Sequence, residues 1–273
     1  MEKDLINKDY KMDFLSVIVP AYKQEQTIVK DLENINQILN SGRFDYEIIC
    51  VVDGFPDRTF QRAQKIKLPK VKIIGYEVNQ GKGYAVRYGM ARAKGNLIAF
   101  IDAGMDINVR GIPLLLEHMR WYNSDIIVGS IRHSASRVIG YPFKRKIYSI
   151  GYHWLTRILF GLKITDSQRG IKIFKREVLE KVMQRLFVKR FAFDIEILAV
   201  SYYLGFKKIH DGPVEMDARR FKFSSIRSST VLGMLIDTLG IYYRLYVLNF
   251  YDGKNRKKWV TDKDLLIKPI TAP

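Results

Sequence analysis

Apolar residues along the chain alternate between short β-branched runs and longer segments with helical spacing. The runs predict strands at residues 15–20, 46–52, 71–76, 97–101 and 125–130. Segments with an apolar residue at every third or fourth position predict the intervening helices: 26–39, about 59–65, 84–93 and 112–121. Strands that alternate with helices pair in parallel, so the pattern predicts an α/β fold with a doubly wound, mostly parallel sheet.

The second half of the chain is more basic and more aromatic. Its spacing predicts a helix within residues 132–163, a strand at 171–174, helices at 177–186 and 193–204, and a strand near 207–210. We divide the chain into four parts: an N-terminal extension at 1–14, a main domain at 15–225, an amphipathic helical segment at 226–252 and a basic tail at 253–273. The tail is expected to be solvated and partly mobile.

The apolar strand at 97–101 stops at two carboxylates four residues apart, Asp102 and Asp106. In open α/β sheets, ligands bind at the carboxyl ends of the strands. Mg²⁺ is usually held there by one or two carboxylates together with substrate phosphates. An Asp-rich turn with a purely local role is the alternative interpretation, because Asp and Asn favour turns.

Other predicted strands also end in polar or glycine-rich loops. Asp53 can accept hydrogen bonds from a base or a ribose. The loop Gly81-Lys82-Gly83 offers backbone N–H groups and one ammonium to a phosphate, although it lacks Walker A spacing. Together these ends predict a crevice for a nucleotide-type ligand.

The charge balance restricts the partners. The formal net charge is +18, which attracts phosphates, nucleic acids or an anionic membrane surface. Nucleic acid ranks last, because no nucleic-acid motif accompanies the charge. A single cysteine, Cys50, excludes a disulfide framework within the chain.

Two basic, aromatic segments, at 142–163 and 225–250, have the composition of helices that lie in the headgroup plane of a membrane. Core helices with basic outer faces are the alternative. No uninterrupted apolar run reaches the length of a membrane span, and the charged first residues lack the core of a signal peptide. We therefore expect peripheral or shallow attachment to the cytoplasmic face of a membrane.

Ordered motifs resemble those of the inverting family 2 glycosyltransferases. They are Val17–Tyr22 with Glu25, Val52-Asp53-Gly54 with Asp57 and Thr59, and Asn79–Gly83 with Arg87. The later segments Asp166–Phe174 and Phe193–Glu196 are similar to the branch that loads a sugar onto a lipid phosphate, the dolichyl-phosphate glucose and mannose synthases. The resemblance covers about residues 15–227 and implies a GT-A type fold with C-terminal amphipathic helices.

The resemblance implies a set of site residues. It places Mg²⁺ or Mn²⁺ at Asp102 and Asp106, with Gly104 at the place of the usual second aspartate. It implies an acceptor-phosphate clamp of Arg132, Arg145 and Ser149, and catalytic roles for Asp102, Arg132 and Arg145. It also implies contacts to a nucleotide sugar from Pro20, Tyr22, Glu25, Asp53, Lys82, Asp102, Gln168, Arg219 and Arg220. Each arginine could instead be a solvated surface charge.

The function that the resemblance implies is metal-dependent, inverting transfer of a hexose from a nucleoside diphosphate sugar to a polyprenyl phosphate. UDP-glucose is favoured over GDP-mannose as the donor. A phosphate acceptor with a second pKa near 6 is largely a dianion at pH 7, so it needs no general base. Two alternatives stay open: a glycan or small-molecule acceptor, and a catalytically degenerate scaffold that binds membrane or nucleic acid. The oligomeric state is not predicted.

Overall fold

The computed structural model describes residues 13–42, 44–220, 228–259 and 262–267, without the side chains of Lys144, Arg145, Arg220, Ser228, Ser229 and Lys258. The strands in these ranges are β1 Phe14–Ala21, β2 Asp45–Asp53, β3 Val71–Tyr76, β4 Leu97–Ile101, β5 Ile126–Ser130, β6 Arg137–Ile139, β7 Ile171–Lys175, β8 Ile209–Pro213 and β9 Glu215–Asp217. The helices are α1 Ile28–Asn40, α2 Thr59–Gln64, α3 Lys82–Met90, α4 Gly111–Trp121, α5 Phe143–Phe160, α6 Arg176–Val182, α7 Phe193–Tyr203 and α8 Ser228–Tyr242.

Seven strands form one mixed sheet in the order β3-β2-β1-β4-β7-β5-β8. Strand β1 pairs in parallel with β2 and β4, and β5 pairs in parallel with β8. The predicted mostly parallel α/β sheet is confirmed. Strand β7 differs, because it runs antiparallel to both of its neighbours, β4 and β5. It follows a long excursion from the end of β5, so it enters the sheet from the edge where β4 and β5 end.

Alternate residues of the central strands face two separate hydrophobic layers, because side chains in a strand alternate between faces. Ile18 and Val51 belong to the layer that α3, α6 and α7 cover. Val17 and Val52 belong to the layer that α1 and α4 cover. Burial on both faces explains why these strands are near-continuous apolar runs.

A small ribbon of β6 and β9, which pair in parallel, was not predicted. It lies beside the turn after β4, because Ile107 bridges Met216 and the Asp217 N–H donates to the Asp106 carbonyl at 2.9 Å. Three-residue strands carry too little periodicity to be recognised from sequence.

Helices α5 and α8 pack on each other, and the Tyr152 hydroxyl lies 2.8 Å from the Thr238 hydroxyl. Helix α8 continues into a π-helical turn, Tyr243–Val247. Among the described residues, no helix combines the length and the apolar character that a bilayer span requires. The described part of the predicted tail is not solvated throughout, because Trp259 and Leu265 are buried.

Candidate functional site

The candidate site lies where the carboxyl ends of β1, β2 and β4 meet the beginning of β7. Asp102 follows β4, and its backbone N–H donates to the Gly170 carbonyl at 2.9 Å. A Cβ atom at Gly170 would lie 2.0 Å from Oδ2 of Asp102. Only glycine therefore fits beside this carboxylate, which explains the glycine immediately before β7.

Asp53, at the end of β2, is 3% exposed and accepts hydrogen bonds from four groups. They are the Tyr76 hydroxyl at 2.9 Å, the Asn79 side-chain amide at 2.9 Å, and the backbone N–H groups of Gln80 and Gly81 at 2.8 and 3.0 Å. A carboxylate offers about four lone-pair positions. In this arrangement Asp53 fixes the loop before α3. Its predicted contact with a base or ribose stays a prediction, and such a contact would have to replace one of these four hydrogen bonds.

The loops after β1 and β2 brace each other. The Gln24 N–H donates to the Thr59 hydroxyl at 2.8 Å, and the Arg58 N–H donates to the Glu25 carboxylate at 3.2 Å. Glu25 is thus engaged with the neighbouring loop, whereas Tyr22 is 43% exposed. The roles of Pro20, Tyr22 and Glu25 toward a donor stay predictions.

A chain of alternating charges runs from the surface into the core beside β4. Lys82 Nζ lies 2.9 Å from Oδ2 of Asp102 and 3.0 Å from Oδ2 of Asp194. Lys172 Nζ lies 2.6 Å from Oδ1 of Asp194. Burial lowers the pKa of Lys82, but the two aspartates outweigh it and the pKa lies above its ordinary value. The aspartates thus compensate part of the cost of burying the two ammonium groups.

Lys172 and Asp194 were not assigned from sequence. Lys172 is completely buried inside the apolar strand β7, where burial lowers its pKa and Asp194 opposes that shift. A lone lysine among Ile171, Ile173 and Phe174 was the available signal. Buried lysines are rare unless they are paired.

Asp102, the first carboxylate after β4, has an oxygen that a divalent cation could bind. Burial and the neighbouring charge of Asp102 raise the pKa of Asp106, whereas Arg169 lowers it. Oδ1 of Asp102 is buried and has no hydrogen-bond partner among the described residues. A hard cation would satisfy this oxygen and relieve the repulsion between the carboxylates. The described residues contain no group of three or more His, Cys, Asp or Glu side chains arranged for a metal, so phosphate or water oxygens would complete its coordination.

Gly104, between these aspartates, has a backbone φ of +100°. Its N–H donates to the Asp31 carboxylate at 3.2 Å. This conformation favours glycine, since a Cβ atom is strained there. The backbone at position 104 thus suits glycine, and the role of Asp106 as the second metal ligand stays a prediction.

Arg132 and Ser149, two members of the predicted clamp, are in contact. Nη2 of Arg132 donates to the Ser149 hydroxyl at 2.7 Å, and Nη1 donates to the Thr165 carbonyl at 2.6 Å. Ser149 lies on α5, one helical turn after Arg145, whose side chain lies outside the described residues. The acceptor roles of all three stay predictions.

The segment between Thr165 and Gly170 carries one further predicted contact, Gln168. Nε2 of Gln168 is buried without a hydrogen-bond partner in the described part of the chain. Arg169 pairs with Asp166 at 2.8 Å and donates to the Tyr141 hydroxyl at 2.7 Å. The orphan amide of Gln168 is the kind of group that a bound ligand would satisfy.

Arg219 bonds to a near neighbour on the chain and not to the acidic pair. It is exposed and donates two hydrogen bonds to Asp217, at 2.8 and 2.9 Å. The Arg220 side chain lies outside the described residues. The proposed contact of either arginine with a diphosphate stays a prediction.

Comparisons with known proteins agree on one family. The family "Glycosyl transferase family 2" matches residues 16–183. The "Dolichyl-phosphate beta-glucosyltransferase" of Drosophila melanogaster is 35% identical over 202 residues, which cover 68% of this chain and 62% of that enzyme. The Trichomonas vaginalis "Dolichyl-phosphate beta-glucosyltransferase ALG5A" is 32% identical and is covered to 69%, against 78% of this chain. The alignment thus spans less than two thirds of the fly enzyme's own length.

Solved structures show the same fold. Glucosyl-3-phosphoglycerate synthase from Mycobacterium tuberculosis, crystallised with UDP, superposes with a TM-score of 0.65 at 18% identity. The superposition covers 84% of this chain and 80% of that protein. At this identity the likeness establishes the GT-A fold and nothing more.

Proposed function

The chain belongs to glycosyl transferase family 2, and from that premise we propose that it transfers a hexose, with inversion, from a nucleoside diphosphate sugar to a polyprenyl phosphate. The six residues from Thr165 to Gly170 carry the proposal. Thr165 accepts a hydrogen bond from Arg132, and Gly170 accepts one from Asp102. Five residue steps span at most about 18 Å, so one short segment sets the spacing between the acceptor clamp and the acidic pair.

The donor would lie across the ends of β1, β2 and β4. The N-terminus of α3 favours negative charge there because of the helix dipole, although the Tyr84 N–H of its first turn already donates to the Lys189 carbonyl. Lys82, the first residue of α3, adds an ammonium beside Asp102. Asp102 and Asp106 would hold Mg²⁺ or Mn²⁺, which neutralises charge on the leaving diphosphate when it is bound. The fly relative, a dolichyl-phosphate β-glucosyltransferase, supports glucose as the sugar, and we propose UDP-glucose as the donor.

The acceptor phosphate would be held by Arg132 and Ser149, with Arg145 one turn earlier on α5. One phosphate oxygen attacks the anomeric carbon, and the bond from that carbon to the diphosphate oxygen breaks. The electron pair leaves with the nucleoside diphosphate, and the configuration inverts. The attacking oxygen is already deprotonated, so the protein supplies position and positive charge.

A lipid acceptor requires a surface that contacts a membrane, and the exposed apolar side chains of α5 support such a surface. Ser149 faces Arg132, whereas apolar side chains of the same helix are exposed. Helix α8 and its π-helical turn add a second exposed apolar row. The exposed apolar residues are Phe143, Ile147, Tyr148, Ile150, Trp154 and Ile158 on the first helix, and Leu232, Ile236, Leu239, Tyr242, Tyr243, Tyr246 and Val247 on the second. We call these residues the apolar face.

Basic residues accompany the apolar face. Lys146 and Arg157 are exposed on α5, and the chain carries a net charge of +18. Each cation near an anionic membrane surface contributes about 1 kcal/mol of attraction. We therefore propose that the apolar face lies in the cytoplasmic headgroup layer and that the clamp meets the acceptor phosphate there.

The proposal is tested by sugar transfer. Purified protein is incubated with UDP-glucose, GDP-mannose and other nucleotide sugars, with vesicles that contain a polyprenyl phosphate, and with Mg²⁺ or Mn²⁺. We expect a glucosylated lipid phosphate from UDP-glucose, and its loss when EDTA removes the metal. Product only from a water-soluble acceptor would contradict the lipid proposal. Binding of no donor with either metal would support a degenerate scaffold.

A soluble acceptor is the second candidate, because a cleft of about 880 Å³ opens beside Asp106. Arg110 and Arg137 line it together with Asn108 and Glu215. Such a cleft has the size of a small-molecule site. Phosphorylated and neutral small acceptors belong in the same transfer experiment, and turnover with them but not with lipid would favour this candidate.

A further inference from the structure

Glu196 is a fully buried carboxylate that the proposed reaction does not use. It lies in the first turn of α7, and its oxygens accept hydrogen bonds from the N–H groups of Phe187 and Val188 at 3.0 and 2.8 Å. The Tyr251 hydroxyl donates to it at 2.7 Å. Such a carboxylate is costly unless its partners repay the lost hydration, so these partners indicate what it holds together.

One partner segment forms a wall of the loop that would bind the donor diphosphate. The carbonyl of Lys189 accepts a hydrogen bond from the Tyr84 N–H at 3.1 Å. The same oxygen would lie 2.7 Å from a Cβ atom at Gly81 and 3.0 Å from one at Gly83. Residues 187–189, which we call the wall segment, therefore contact the backbone on both sides of Lys82.

The other partner belongs to the chain after α8. Tyr251 is buried, its carbonyl accepts a hydrogen bond from Arg185, and Arg244 donates to its hydroxyl at 3.2 Å. Farther along, the Tyr84 hydroxyl donates to Asp262 at 3.2 Å. This C-terminal segment thus contacts both the wall segment, through Glu196, and the outer face of α3.

Charges on both sides hold Glu196. Burial raises the pKa of Glu196, and the charge of Arg244, in the π-helical turn after α8, opposes that shift. Arg87, a buried guanidinium on α3, interacts with the same carboxylate across the interface. The carboxylate therefore interacts electrostatically with α3 and with the turn after α8, and its hydrogen bonds join the wall segment to Tyr251.

We propose that Glu196 and Tyr251 are positioning residues for the donor site: Tyr251 orients Glu196, Glu196 holds the wall segment, and the wall segment fixes the Gly81–Gly83 loop. The proposal rests on the assignment of that loop to the donor diphosphate. It makes the chain after α8 a determinant of donor affinity that acts through Glu196 and the wall segment. Because α8 and its π-helical turn also carry about half of the apolar face, Tyr251 follows directly in the chain from the proposed membrane-contact surface.

Tyr251→Phe tests the proposal with the smallest change, because the ring stays and only the hydroxyl that bonds to Glu196 is lost. We expect the KM for UDP-glucose to rise about three- to tenfold, because one hydrogen bond to a charged group is lost and only part of its free energy affects the donor site. The KM for the polyprenyl phosphate and kcat stay within about twofold. Glu196→Gln changes KM in the same direction and by more, because its amide nitrogen cannot accept from the wall segment.

Tyr203→Phe is the matched control. The Tyr203 hydroxyl also donates to a carboxylate of the C-terminal segment, Asp252, at 2.8 Å, but neither residue bonds to the wall segment in the described contacts. A purely structural role predicts that both Tyr→Phe variants lower thermal stability and change both KM values alike. Equal donor KM values in the Tyr251 variant, the Tyr203 variant and the wild type would overturn the proposal.

Hydrogen exchange separates this inference from the proposed function. The N–H groups of Phe187 and Val188 should exchange faster in Tyr251→Phe than in the wild type, and UDP with Mg²⁺ should slow their exchange in the wild type. If exchange is faster in Tyr251→Phe but the wild type does not bind UDP, the proposed function is wrong, and the wall segment has no role in donor binding. UDP binding with unchanged exchange in Tyr251→Phe would overturn the coupling alone.

Discussion

The donor edge of the sheet and the apolar face of α5 and α8 differ in how completely their side chains are paired or buried within the protein. At the donor edge, Asp53 has all four acceptor positions filled and Asp194 is paired with two lysines. On the apolar face, Ile158 is 77% exposed and Trp154 is 54% exposed. One region is organised before any ligand arrives, whereas the other has contacts still to make.

This difference indicates different roles for the two regions. A preformed donor edge costs little reorganisation when a diphosphate binds. An exposed apolar face of this extent marks a surface that contacts another phase or partner. At the donor edge of the described part of the chain, Oδ1 of Asp102 is a buried oxygen without a hydrogen-bond partner that a metal could bind. Substitution of Asp102 therefore gives the sharpest test of the difference between the two regions.

Asp102→Ala should have the largest effect. It removes the carboxylate that pairs with Lys82 and that would hold the metal. We expect kcat/KM for transfer to fall about a thousandfold, as when a group that stabilises transition-state charge is lost. Steady-state kinetics with UDP-glucose measure it, and circular dichroism checks the fold. Asp45→Ala, which removes an exposed carboxylate paired with Lys70, is the control. Wild-type turnover in Asp102→Ala would remove this end of β4 from the active site.

Ile158→Glu should break the other side of the comparison. It places a negative charge within the apolar face while leaving the donor edge unchanged. We expect binding to anionic vesicles to weaken about thirtyfold, because the apolar burial of one isoleucine is lost and the new charge is repelled. Vesicle co-sedimentation measures binding, and UDP affinity should be unchanged.

The control for this variant is Trp121→Glu on α4. Trp121 is 73% exposed and lies outside the apolar face. A general effect of exposed apolar residues would weaken vesicle binding equally in both variants, and that outcome would reject the membrane assignment of α5.

Arg132→Lys tests the junction between the two regions. The guanidinium bonds to Thr165 and Ser149 at the same time, and an ammonium keeps the charge but loses this planar fork. We expect the KM for the lipid phosphate to rise about tenfold with little change in the donor KM. Arg120→Lys, at a surface arginine paired with Asp13, should change neither. A rise confined to the donor KM would move Arg132 to the donor side.

Much of the sheet was predictable because its strands are buried on both faces. Periodicity alone predicted the five strands from β1 to β5 and a mostly parallel sheet, and β1 pairs in parallel with β2 and β4. The reversed direction of β7 was not predictable, because an apolar run has the same periodicity in either direction. The burial of Trp259 and Leu265 was also missed, since a basic segment gives no sign of the surface on which it packs.

The sequence predicted where several candidate-site residues lie but not which residues they contact. Asp102, Asp53 and Lys82 all lie at the expected edge of the sheet. The pairing of Lys82 with Asp194, 112 positions away, depends on how α7 packs against α3, and local spacing carries no information about it. The buried network of Glu196 and Tyr251 was missed for the same reason.

Gly104→Asp should have the smallest effect and sharpens the account of the donor edge. It restores the aspartate that the family resemblance expects, so a purely chemical view predicts tighter metal binding. The backbone conformation predicts no such gain in metal binding, because φ at this position is +100°. An aspartate there costs about 1–2 kcal/mol of backbone strain, and the turn that holds Asp106 would have to shift to relieve it.

We therefore expect Gly104→Asp to lower the free energy of unfolding by about 1–2 kcal/mol and to leave Mn²⁺ affinity within about twofold of the wild type. Chemical denaturation and a Mn²⁺ titration in the presence of UDP measure the two quantities. Gly253→Asp is the control, because a side chain at Gly253 meets no atom within 4 Å. Tighter Mn²⁺ binding in Gly104→Asp would mean that the turn accepts a third carboxylate, and Asp106 would then no longer be the ligand that replaces the missing aspartate.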